Sequence, residues 1–115
     1  MLSKKENKII QEYIHDINEE IPDKINSVIL FGSKARKDDH KESDIDLLII
    51  REDKPKNVYD DVWEKIISLS GEMTIKYGKD ISPKIEYKKD FYNNSTSFLS
   101  RIKKEGKFLW KKKSL

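Results

Sequence analysis

A chain of 115 residues has room for one domain with a modest core and little for a separate substrate-binding domain. Charged residues make up 39% of it, yet the net charge is only +3, so it lacks the strong basic field that direct nucleic-acid binding draws on, and any anion site is local. The absence of cysteine excludes disulfides and thiolate metal sites; with no signal-peptide block and no apolar run near the roughly 20 residues of a membrane span, the expectation is a soluble cytoplasmic protein without a membrane partner.

Ser3 and Glu6 have the spacing of a capping box, and Ile10, Tyr13, Ile14, Ile17 and Ile21 follow at helical intervals until Pro22, which predicts a first amphipathic helix. Val28–Phe31 is a short β-branched and aromatic run ending at Gly32, the pattern of a buried strand. The polar segment 33–43 reads as a loop or a helical turn, Asp44–Ile50 as a second strand, and 51–57, with Pro55 inside, as a loop. The stripe Val58, Val62, Ile66, Leu69 and Met73, with Tyr59, Trp63 and Ile67 beside it, predicts a long helix that stops at Gly78. Ile81–Tyr87 alternates as a third strand, and Pro83 within it points to a sheet edge or a bulge. Residues 95–106 read as a short helix burying Phe98, Leu99 and Ile102, and Lys107–Trp110 as a last strand. Helices and strands therefore alternate in a small α/β (α+β) fold, a mixed sheet with helices packed against it, as one domain over residues 1–115.

The chemistry lies in the two junctions around the second strand. Side chains alternate across a strand, so Asp44 and Asp46 leave one face roughly 6–7 Å apart. Two carboxylates that close repel each other unless a cation lies between them. An oxygen-only pair suits Mg²⁺ or Mn²⁺, since Mg²⁺ binds through a few carboxylates completed by substrate phosphates. Gly32, after a buried strand, lets the backbone turn sharply and approach a ligand, while Ser33 and the neighbouring amides can donate to phosphate oxygens. Lys34, Arg36 and Lys37 add positive charge, although Arg36 serves equally as a structural ion-pair residue. Either half alone would be an ordinary turn or a solvated strand end. At this spacing the two make a triphosphate-and-metal constellation. His15 and His40 read as solvated, the basic end "WKKKSL" likewise, and Tyr59 with Trp63 as core or partner interface.

The stretch "GSKARKDDHKESDIDLLI" resembles the signature of the DNA polymerase β-like nucleotidyltransferase superfamily, and in particular its minimal members, antitoxins that occur beside HEPN-domain toxins. That resemblance implies nucleotide binding through Gly32 and Ser33, with Arg36 a weaker candidate, metal binding through Asp44 and Asp46, and AMP transfer from ATP to a hydroxyl, a tyrosine, of a HEPN toxin. Two departures stand out. Lys37 occupies a position that is frequently glycine in the family. The third family carboxylate, which completes the metal site or activates the acceptor, matches Ser82 in "DISPKIEY". Asp80, Ser82, Lys84 and Glu86 share one strand face, and if the third strand runs parallel to the second, Asp80 lies nearer the aspartate pair than Glu86. Two alternatives follow: a toxin-binding module with weak or no catalysis, and nucleotidyl transfer to a small molecule such as an aminoglycoside.

Overall fold

The computed structural model describes residues 2–38, 40, 43–94 and 96–113. Its elements are α1 (Lys4–Glu20), β1 (Ile25–Phe31), α2 (Ser33–Arg36), β2 (Ile45–Arg51), α3 (Asp61–Tyr77), β3 (Ile81–Tyr87), α4 (Lys88–Asn93), α5 (Ser97–Glu105) and β4 (Lys107–Lys111). The strands form a mixed sheet in the order β3-β2-β1-β4. β1 is antiparallel to both β2 and β4, whereas β2 and β3, joined by the α3 crossover, are parallel. Pro83 sits on the edge strand, where its missing amide hydrogen is tolerated. Among the described residues no helix is long and apolar enough to cross a membrane.

Both faces of the sheet are covered, which is why β1 and β2 read as nearly continuous apolar runs. Val28, Leu30, Leu47 and Ile49 pack into the larger core with Ile10, Tyr13 and Ile17 of α1 and Ile66, Leu69 and Met73 of α3. Ile29, Leu48 and Ile50 face the other way, against Phe91 of α4 and Leu99 and Ile102 of α5. Burying each such side chain contributes about 1.5–3 kcal/mol, so α5, with only two anchors, is tied down more lightly than α1.

Several boundaries differ from the sequence reading for identifiable reasons. β1 begins three residues early, at a buried Ile25 paired with Arg51, because the polar Asn26 and Ser27 interrupt the apolar run at a register shift. Arg51 is no loop residue: it ends β2, is 1% exposed, and forks onto both carboxylate oxygens of Asp60 at 2.9 and 2.8 Å. Asp60 in turn accepts from the Trp63 amide as the α3 N-cap, so the helix starts at Asp61 and leaves Val58 and Tyr59 outside it and exposed. α4 has no counterpart in the sequence reading, since six residues with a single buried side chain show no period. Phe98, expected in the core, is 41% exposed on α5.

Three segments meet at Glu6. Its Oε1 accepts from the Ser3 amide at 2.9 Å and Ser3 Oγ accepts from the Glu6 amide at 3.0 Å, the reciprocal capping box that starts α1. Oε2 takes the Lys34 ammonium of α2 at 2.9 Å and the Lys79 ammonium, just before β3, at 3.2 Å. Burial alone would raise this carboxyl, but the Ser3 amide and the two lysines outweigh it and hold the pKa down at about 2. A carboxyl depressed by folding contributes stability above its unfolded value and loses it as the pH falls toward the folded value. Glu6→Gln is therefore expected to lower unfolding free energy by about 2–3 kcal/mol at neutral pH. In urea titrations across pH the gap between the two proteins should close between about 4.5 and about 2.

Candidate active site

β1 ends with Phe31 directly opposite Asp46, so the chain turns at Gly32 beside that carboxylate. Gly32 has φ +75° and ψ −157°, a region that essentially only glycine occupies, and a Cβ at this position would run into the Asp46 carboxylate. The residue is thus fixed as glycine by backbone angle and by space. Its carbonyl accepts from the Ala35 and Arg36 amides at 3.2 and 3.1 Å, opening the single turn of α2, of which Ser33 is the first residue. That turn closes at Lys37 with φ +64°. A side chain is strained there, and glycine would relieve that strain. Lys37→Gly should raise stability by roughly 0.5–1 kcal/mol, read from chemical unfolding.

Asp46 leaves the sheet on the face shared with Phe31 and Leu48, and Asp44 comes two residues earlier, just before β2 begins and near enough for its charge to act on Asp46. Burial, and then the charge of Asp44, hold the Asp46 carboxyl above the usual aspartate range, with Lys84 and Arg36 offsetting part of the effect. Asp46 therefore resists ionisation, which is the condition a bound cation relieves. The parallel register sets Ser82 beside Asp46 and Lys84 beside Leu48, and the Asp80 carbonyl accepts from the Ile45 amide at 3.0 Å. Asp80 thus stands next to Asp44 at the entrance to the strand, while Glu86 pairs with Ile50, roughly 20 Å further along. Among the described residues no three His, Cys, Asp or Glu side chains form a metal cluster. Two carboxylates with an open side still fit Mg²⁺ or Mn²⁺, since substrate phosphates complete such a shell.

The charge around the turn is arranged differently from the sequence reading. Lys34 is 2% exposed and held by Glu6, behind the turn. Arg36 Nε binds Asp38 Oδ2 at 3.2 Å and its Nη1 lies 4.0 Å from Glu105. Lys84 is the cation the sequence reading passed over; its place on the Asp80–Ser82–Glu86 face was the available signal. Its ammonium lies 5.9 Å from the Phe98 ring, which meets Phe31 edge-on at 5.6 Å. Of the histidines, His15 pairs with Glu19 on exposed α1 at 3.7 Å, and His40 forms a turn with Ser43. Asp39, Lys41 and Glu42 of the motif lie outside the described residues.

Comparison with known proteins agrees with this geometry. The family model described as polymerase beta, nucleotidyltransferase matches residues 7–115. The "Putative protein adenylyltransferase MJ0141" of Methanocaldococcus jannaschii is 39% identical over 99 residues, spanning 86% of this chain and 93% of that protein. A solved Sulfolobus solfataricus structure described as a putative nucleotidyltransferase superimposes with a TM-score of 0.58 at 20% identity, covering 91% of this chain and 79% of that one. A toxin-antitoxin crystal structure with AMP-PNP gives 0.56 at 22% identity over 89% and 73%. At these identities the structural matches speak to the fold.

Because folding raises the Asp46 carboxyl, its ionised form destabilises the ligand-free protein, and this penalty grows as the pH rises through the folded value. Asp46→Asn is expected to raise the melting temperature at neutral pH, an advantage that fades in acid where the wild-type carboxyl is protonated. Thermal unfolding followed by circular dichroism checks both halves.

Proposed function

We propose that this chain, which belongs to the polymerase beta nucleotidyltransferase family, transfers AMP from ATP to a tyrosine hydroxyl of a HEPN-domain toxin and thereby acts as its antitoxin. The observation that carries the reading is the Asp46 carboxylate against the Gly32 turn with the charge of Asp44 beside it, a metal-type carboxylate pair next to a backbone shaped for close approach. The relative named as a protein adenylyltransferase supports AMP as the transferred group and a protein as acceptor. The structural neighbour described as a toxin-antitoxin with AMP-PNP supports ATP as donor and a toxin as partner.

In this reading Asp44 and Asp46 hold Mg²⁺ or Mn²⁺. When bound, the metal neutralises charge developing on the α-phosphorus and the leaving pyrophosphate. The Ser33 hydroxyl and the backbone after Gly32 orient the β and γ phosphates by hydrogen bonds. Asp46 is flanked on β3 by Ser82 instead of a carboxylate, so we assign the acceptor's proton to Asp80, at the strand entrance. A base displaced in this way gives slow turnover, since a well-positioned one is typically worth 10²- to 10⁴-fold.

The Ser82 position also favours a second reading, a fold that neutralises its partner by occlusion alone. Intact-mass measurement of the partner after incubation with ATP and Mg²⁺ separates the two. AMP transfer predicts one or more AMP units of added mass, their loss in Asp44→Ala, and about a tenfold or greater rate gain in Ser82→Asp. Suppression of the toxin by a stable complex with no added mass would establish the occluding module instead.

A further inference from the structure

Between α2 and α5, on the sheet face that carries Asp46, lies a cavity of about 170 Å³ lined in part by Phe31, Gly32, Arg36, Phe98, Arg101 and Glu105. Gly32 and Arg36 belong to the turn that faces the carboxylate pair, and Phe31 stands directly across the β1–β2 ladder from Asp46. The cavity therefore borders the Gly32 turn on the side of the sheet that carries Asp46. Its far wall is α5, whose Leu99 and Ile102 seal the second core while Phe98, Arg101 and Glu105, at intervals of three and four, turn toward α2.

The two arginines differ in their partners. Arg36 has Asp38 at 3.2 Å and Glu105 at 4.0 Å. The Arg101 side chain makes no hydrogen bond or ion pair with any described residue. Two guanidinium groups over one carboxylate leave the lining net positive, and a planar guanidinium without a carboxylate partner suits bidentate binding of phosphate.

We propose that this cavity seats the terminal phosphates of the nucleoside triphosphate, with Arg101 gripping them from α5; the assignment rests on the nucleotidyltransferase reading of Asp44 and Asp46. Arg36 then exchanges Glu105 for a phosphate oxygen when the nucleotide enters. α5 becomes a wall of the substrate site as well as a cover for the sheet.

Calorimetric titration of wild type, Arg101→Ala, Arg101→Lys and Asp46→Asn with ATP, inorganic pyrophosphate and AMP, each with Mg²⁺, tests the assignment. Arg101→Ala should weaken ATP and pyrophosphate about tenfold to a hundredfold and leave AMP unchanged, with Arg101→Lys recovering part of the loss. Undiminished ATP and pyrophosphate affinity would overturn it, and so would an equal loss for ATP and AMP, which would give the cavity to the nucleoside. If Asp46→Asn removes metal-dependent ATP binding while Arg101→Ala changes nothing, this subsite fails and the nucleotidyltransferase reading stands.

Discussion

The close approach of the Gly32 backbone to the Asp46 carboxylate is the constraint around which the rest of the molecule is arranged. It requires β1 and β2 to pair antiparallel in a register that ends at Phe31 and Asp46, and that register is held because both strands bury side chains on both faces. It also requires the chain to reverse at once into α2. That turn is too short to be stable alone, and Glu6 fixes it from behind through Lys34. The same carboxylate holds Lys79 at the entrance to β3, so one buried acid sets the Gly32–Ser33 turn, the start of α1 and the approach to Asp80 relative to one another. Removing its charge would take the carboxylate away from the buried Lys34 ammonium, which is more damaging than never having had the pair.

The site carries stored electrostatic tension. Two aspartates on one strand face, one of them half-buried, are unfavourable in the ligand-free protein, and Lys84 and Arg36 relieve that only in part. An arrangement of this kind is maintained by function against stability. Elsewhere the molecule pairs its charges closely: Arg51 with Asp60 at the start of α3, Lys76 and Tyr77 with Glu12 between α3 and α1.

What the sequence disclosed was what is decided locally. The Ser3–Glu6 box, the stop at Gly78 and the strand at Ile81–Tyr87 each depend on a few neighbouring residues, and each is found in the structure. The Gly32 turn belongs with them, although its reason, the Asp46 side chain, comes from another strand. What stayed hidden depends on distant partners. Arg51 looks like a loop residue until Asp60 is seen to receive it, and Lys34 looks like a phosphate ligand until Glu6, 28 positions earlier, claims it. Phe98 is apolar and helical yet faces the cavity, because Leu99 and Ile102 fill the space beneath α5. Lys84 could be placed on its face by periodicity, but only the assembled sheet brings that face to Asp46.

The central claim is that Asp44 and Asp46 jointly hold a divalent metal against a nucleotide seated at the Gly32–Ser33 turn. Anomalous scattering from crystals grown with Mn²⁺ and a non-hydrolysable ATP analogue tests it most directly. The account predicts an Mn²⁺ peak shared by the two carboxylates and by oxygens of the analogue, with the triphosphate lying along the turn. A nucleotide bound elsewhere, or one bound at the turn with no metal between the aspartates, would contradict it.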